Sequence, residues 1–145
     1  MTTIVYRDGI LAGDSRVTSE DTVMPGSERK VFRLPDGSLF AAADDAEGGE
    51  LLLRAMRKGM APPRLVGELK VQALLVKTTG QMFVFEGSVW VAHRAPYYAM
   101  GTGRPYALGA LYSGATAIEA VKAGIEFDAH SGGRIQVVSL KGGRR

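Results

Sequence analysis

The chain has 145 residues, 46% hydrophobic and 23% charged, an ordinary balance for one soluble domain with a core of its own. It has no cysteine, which excludes disulfides and thiolate chemistry and fits a reducing, cytoplasmic setting. No run of about 18 apolar residues predicts a membrane-spanning helix, and the N-terminus lacks the basic and apolar parts of a secretion signal.

The net charge of +3 resides in the tail, where Lys141, Arg144 and Arg145 have no acidic neighbour; in the rest of the chain the two signs balance. The short basic tail, 141–145, is expected to be solvated and disordered, and residues 1–140 to form a single domain. Neither nucleic acid nor membrane is an expected partner.

The chain opens Met1-Thr2-Thr3-Ile4-Val5-Tyr6. Thr2 is small, so removal of the initiator methionine is expected. That would leave a residue with a hydroxyl and a free α-amine, whose ordinary pKa of ~7.7–8.0 makes it a usable base at neutral pH. Ile-Val-Tyr reads as a strand that anchors this terminus.

Ile4–Tyr6 and Ile10–Ala12 flank Arg7-Asp8-Gly9, and Lys30–Leu34 and Ser38–Ala43 flank Pro35-Asp36-Gly37; both patterns predict hairpins. Between them Thr18–Glu28 is polar, with a turn expected at Pro25-Gly26. From Asp45 to Lys58 the spacing of Leu51, Leu52, Ala55 and Met56 predicts a helix, stopped by Gly59 and Pro62-Pro63. Leu51–Leu53 and Met56 are candidate core residues, with part of that face left for a partner.

Strands are predicted at Val71–Lys77, Gln81–Glu86 and Val89–Ala92, with turns at Thr79-Gly80 and Glu86-Gly87. Pro96–Met100 leads into Gly101-Thr102-Gly103. Pro105 opens a helix to about Tyr112, Thr116 caps a second through Ile125, and Arg134–Leu140 is a closing strand. The order of strands, helix, strands, two helices and strand fits two antiparallel sheets with helices outside them.

Met1-Thr2-Thr3-Ile4-Val5, Ala12-Gly13-Asp14, Thr22-Val23-Met24, Lys30-Val31-Phe32-Arg33-Leu34 and Gly101-Thr102-Gly103-Arg104-Pro105-Tyr106-Ala107 resemble the proteasome β-type peptidases, and among them the HslV type most. Asp128-Ala129-His130-Ser131-Gly132-Gly133 is more similar to the true proteasome's Asp-x-x-Ser-Gly-Gly segment. The similarity spans roughly the first 45 residues and Val71 to Leu140. Each motif is short and common, but their order and spacing are specific in combination.

The resemblance implies an N-terminal nucleophile (Ntn) hydrolase of the α+β class, a four-layer αββα sandwich of two antiparallel sheets. It implies a threonine-type endopeptidase in which Thr2 is the nucleophile and its own α-amine the base. Lys30 matches the catalytic lysine that eases loss of the hydroxyl proton, and Asp14 the acid that fixes that lysine. Asp128 and Ser131 match the pair that hydrogen-bonds around the terminal amine, and Thr102 stands where a serine usually supports it.

The resemblance implies no cofactor for catalysis and no catalytic metal. Its backbone-carbonyl cation site near Ile125, Asp128 and Ser131 leaves no side-chain signature, so it is not assigned. Expected partners are polypeptide substrates, further copies of the chain in a ring, and an AAA+ unfoldase.

Two departures stand out. Ala42, or Ala43 with a one-residue shift, takes the place of the glycine whose N–H stabilises the oxyanion, which is tolerable only at negative φ. Gly59–Gly67 is a short connector where the family has the second of two long helices, so that helical layer is expected to be reduced, which leaves a double ring, a single ring, a smaller oligomer or a different assembly open.

Plainer readings accompany these. Asp14 and Lys30 alone read as a surface ion pair worth ~0–1 kcal/mol. Gly101-Thr102-Gly103 lacks the third glycine and strand–helix context of a phosphate loop. His93 and His130 have no second ligand at metal spacing and read as structural. The alternatives to a peptidase are a catalytically silent subunit with a scaffold role, and an Ntn amidase for small amides.

Overall fold

The computed structural model describes residues 2–44, 46–59, 71–86 and 89–140. Along them run β1 (Ile4–Arg7), β2 (Ile10–Gly13), β3 (Arg16–Ser19), β4 (Thr22–Ser27), β5 (Val31–Arg33), β6 (Leu39–Asp44), α1 (Ala46–Arg57), β7 (Val71–Val76), β8 (Met82–Glu86), β9 (Val89–His93), β10 (Tyr97–Met100), α2 (Arg104–Tyr112), α3 (Ala117–Phe127) and β11 (Gln136–Ser139).

The first hairpin follows from its turn. Asp8 and Gly9 are both left-handed, with φ of 52° and 80°, the turn whose twist matches that of paired strands. It sets Ile4 opposite Gly13 and Tyr6 opposite Leu11. In the second hairpin the Ser38 N–H donates to Asp36 Oδ1 at 2.9 Å, an Asx turn that returns β6 along β5.

Strands β10-β1-β2-β11 make one antiparallel sheet and β5-β6-β7-β8-β9 the other, while β3 and β4 form a separate ribbon. Side chains alternate between the faces of each strand, and the layers follow. Ile4, Tyr6 and Leu11 meet Val31, Leu39, Leu74 and Val76 between the sheets. Val5 and Ala12 face α2 and α3 through Ala107, Leu111, Ala120 and Val121. Phe40, Ala73 and Leu75 face Leu52 and Leu53 of α1. The result is the αββα sandwich expected from the sequence.

Helix ends obey local rules. Thr116 and Glu119 form a reciprocal capping box at the start of α3, Pro105 lies in the first turn of α2, and Gly59 follows α1 in the left-handed region at φ 67°. Leu52 and Leu53 are buried, whereas Leu51 is exposed.

Three features differ from expectation. The polar segment turns at Glu20-Asp21, where Glu20 has φ 53°, while Pro25-Gly26 lies inside β4. The β3–β4 ladder is irregular between Arg16 and Thr18. Residues 97–100, read only as a lead-in, are a full edge strand on β1, with Met100 opposite Ile4. The connector predicted after Gly59, the residue Gly87 of one predicted turn, and the 141–145 tail lie outside the described residues.

Candidate active site

The strand that anchors the N-terminus delivers two adjacent threonines to opposite sides of one sheet. Thr2 is 3% exposed and Thr3 fully buried. The β1 ladder extends back to both: the Asp14 N–H donates to Thr3 O at 3.1 Å and the Gly103 N–H to Thr2 O at 3.0 Å. Alternation then sends Thr3 to the α2–α3 side, where its Oγ1 lies 2.7 Å from Ser131 Oγ. Thr2 points instead to the cleft at the end of the inter-sheet layer.

The hydroxyl of Thr2 donates to Asp14 Oδ1. The same oxygen accepts from Lys30 Nζ at 3.0 Å and from the Thr3 N–H at 3.0 Å. Asp14 Oδ2 accepts from the Gly132 N–H at 2.9 Å and the Arg16 N–H at 3.3 Å. Every partner donates, so the carboxylate acts purely as an acceptor.

Asp14 and Lys30 have side-chain exposures of 0% and 4%, which overturns the surface-pair reading: two charges out of water persist only with such a full set of partners. Lys30 Nζ also donates to Arg16 O at 2.8 Å. The lysine lies immediately before β5, not within a strand as predicted.

On the nitrogen side the bonds form a chain. In the full sequence Thr2 N is a peptide nitrogen, and it donates to Thr102 Oγ1 at 3.2 Å. Thr102 Oγ1 donates to Asp128 Oδ2 at 2.7 Å, and Ser131 Oγ donates to the same oxygen at 2.6 Å. With the Ser131 hydrogen committed to Asp128, Thr3 Oγ1 is the donor to Ser131. The sequence reading placed Asp128 and Ser131 around the terminal amine; in the structure Asp128 connects to the Thr2 nitrogen through Thr102, and Ser131 joins Asp128 to Thr3.

Burial pushes the Asp128 carboxyl up. Hydrogen bonds from the Ser131 and Thr102 hydroxyls and the His130 N–H outweigh it, and the net shift is below the ordinary carboxylate value.

A cleft of about 220 Å³ opens beside Thr2 and Lys30, with Phe32, Phe40 and Leu53 among its apolar walls. Ala42 and Ala43 line it. Neither is among the residues with positive φ, so a side chain at these positions carries no backbone strain. Asp44, at the end of β6, does have a left-handed φ of 76°.

The two histidines lie apart. The His93 ring stands against Tyr98 at 5.1 Å and His130 Nε2 is 3.6 Å from Asp21. Among the described residues no group of three His, Cys, Asp or Glu converges.

Sequence reasoning missed Thr3, the Arg16 carbonyl, the Gly132 N–H and Gln72, whose Oε1 accepts from the Gly101 N–H at 3.1 Å. For backbone groups no residue type gives a signal. Gln72 did leave one, as the polar residue of an otherwise apolar strand, and Thr3 a weaker one, as a second threonine just ahead of β1.

No family model matches the sequence. Solved structures do. The chain resembles eukaryotic HslV from Trypanosoma brucei with a TM-score of 0.70 at 17% identity, over 94% of this chain and 97% of that one. It resembles BPH from Thiobacillus denitrificans with a TM-score of 0.64 at 21% identity, over 96% and 97%. For that protein in complex with epoxomicin the TM-score is 0.67 at 22% identity, over 96% and 98%. The likeness is one of fold: the chain has an HslV-like, proteasome-like architecture.

Proposed function

We propose that the chain is a threonine peptidase of the proteasome-like kind, with Thr2, freed of Met1, as nucleophile. The observation that carries this reading is the sharing of one Asp14 oxygen by the Thr2 hydroxyl and the Lys30 ammonium at the edge of an open cleft.

Once Met1 is removed, Thr2 N is an α-amine on the Thr102–Asp128 chain. It takes the Oγ proton as Oγ attacks the peptide carbonyl, while the buried Lys30 cation stabilises the developing negative charge on Oγ. A backbone N–H on the Ala42–Ala43 wall receives the carbonyl oxygen. The C–N bond breaks as the α-ammonium returns its proton to the departing amine, leaving an ester on Thr2. Water, deprotonated by the same amine, then hydrolyses the ester and regenerates Thr2. Apart from that water, the proposed chemistry draws on groups of this chain. A homo-oligomeric ring, an ATP-dependent unfoldase and a cytoplasmic location belong to this proposal through the family resemblance.

Intact mass before and after exposure to a peptide epoxyketone such as epoxomicin tests it, because the reagent closes on a hydroxyl and a free amine of one residue. The expected result is loss of the methionine mass and gain of one adduct, with no adduct on Thr2→Ala. Retention of Met1 in the isolated protein would sink the reading. A Met1-free protein that takes no adduct would favour a silent scaffold subunit, a reading to which the engagement of the Thr2 hydroxyl by Asp14 lends some weight. Turnover of small amides but not of peptides would favour an amidase.

A further inference from the structure

β7 reads Val71-Gln72-Ala73-Leu74-Leu75-Val76, one polar residue in an apolar strand. Leu74 and Val76 face the layer between the sheets, whereas Ala73 and Leu75 face α1. The alternation of a strand therefore puts Gln72 on the inter-sheet face, half-buried and opposite Ala43 of the cleft wall. An amide there is retained at a cost in desolvation unless it is bonded. Its Oε1 accepts from the N–H of Gly101, a residue of the β10–α2 connection on the other sheet.

That connection grips Thr2. Gly101 adopts φ 96° and packs so tightly on the Thr2 carbonyl that a Cβ would collide with it. The next residue, Thr102, takes the Thr2 nitrogen, and the one after, Gly103, takes its carbonyl. Gln72 thus ties the second sheet to three of the residues that hold Thr2, those on its backbone.

We infer that Gln72 is a positioning residue for the nucleophile. Its carboxamide fixes the 101–103 turn, and through it the direction of the Thr2 nitrogen relative to the cleft. This rests on the reading of Thr2 as nucleophile. The carboxamide touches the turn and not the reacting atoms, so its loss should lower the rate of the covalent step with little change in substrate affinity.

The test compares wild type, Gln72→Met, which keeps the length but removes the acceptor, and Gln72→Glu, which keeps an acceptor oxygen. Three readouts on the isolated, Met1-free protein separate the cases: epoxyketone adduct rate, kcat and KM on a fluorogenic peptide, and amide hydrogen exchange at 101–103. Gln72→Met is expected to lower adduct rate and kcat by ~10–100-fold with KM within about threefold, since a misplacement of about 1 Å costs that order. It should also speed exchange at Gly101 and Gly103 by about tenfold. Gln72→Glu is expected to recover most of both.

Unchanged exchange and unchanged adduct rate in Gln72→Met overturn the proposal. So does a loss that Gln72→Glu fails to recover while both variants stay folded. If wild type itself forms no adduct, the nucleophile reading has failed; the exchange comparison then decides whether Gln72 holds the turn.

Discussion

The two sides of Thr2 are built from different chemistry. On the hydroxyl side stands a dry ion pair: Asp14 at 0% and Lys30 at 4% side-chain exposure, saturated by backbone N–H groups and a carbonyl. On the nitrogen side runs a string of hydroxyls, Thr102 and Ser131, joined by the half-buried Asp128. A fixed charge in a low-dielectric site acts strongly and cannot be weakened gradually, because removing one partner strands the other. Hydroxyls both donate and accept, so their bonds could be re-sorted if removal of Met1 turned Thr2 N from amide to amine, as proposed. One side supplies field, the other adaptability.

Substitutions should separate the two sides by size of effect. Lys30→Met strands the Asp14 carboxylate. It is expected to cost ~3–5 kcal/mol in urea unfolding and ~10²–10³-fold in the proposed peptide hydrolysis; retention of a tenth of the rate would refute the role given to the ammonium. Ser131→Ala removes the acceptor of the buried Thr3 hydroxyl, with an expected loss of ~1–3 kcal/mol and a smaller effect on rate, since Asp128 keeps Thr102.

Acid should act on the nitrogen side next. The Asp128 carboxyl is held below its ordinary value in the folded state. Its contribution to stability is therefore present above the unfolded pKa of about 3.9 and lost as pH falls through the lower folded value. Unfolding free energies measured from pH 7 to 3 should show this acid-side loss, and Asp128→Asn should remove that part of it. The smallest effect belongs to Thr102→Ser, which keeps the hydroxyl: stability within ~0.5 kcal/mol of wild type by thermal unfolding, with the adduct rate preserved. A tenfold fall in that rate would assign the Thr102 methyl group a role that the geometry does not give it.

The legible parts of the sequence were those governed by neighbours in the chain. Asp8-Gly9 and Pro35-Asp36-Gly37 announced their hairpins, and Thr116 with Glu119 its helix start. Where a strong local signal competed with pairing, pairing won: Pro25-Gly26 is absorbed as an irregular part of β4, and the ribbon turns at the less conspicuous Glu20-Asp21. Tyr97–Met100 is a strand because β1 offers an edge to pair with, information that lies some 90 residues away.

The site divided similarly. The resemblance nominated Thr2, Asp14, Lys30, Thr102, Asp128 and Ser131, which the fold brings around the N-terminal strand. That Ser131 serves Thr3 and that Gln72 crosses between the sheets are facts of side-chain reach, which residue spacing does not encode.

Gly103 and Gly124 close on the Thr3 side chain so tightly that neither has room for a Cβ, and Gly101 does the same to the Thr2 carbonyl. The bond between the two threonines is therefore enclosed by the fold. An aminopeptidase that nibbles residues from the end needs that bond extended and accessible. In the folded protein that bond is walled in, so trimming from the N-terminus is expected to stop at Thr2. Incubated with a broad-specificity aminopeptidase, the folded chain should hold its mass at the Thr2 form, while Gly124→Ala, which loosens the wall, should let digestion run on.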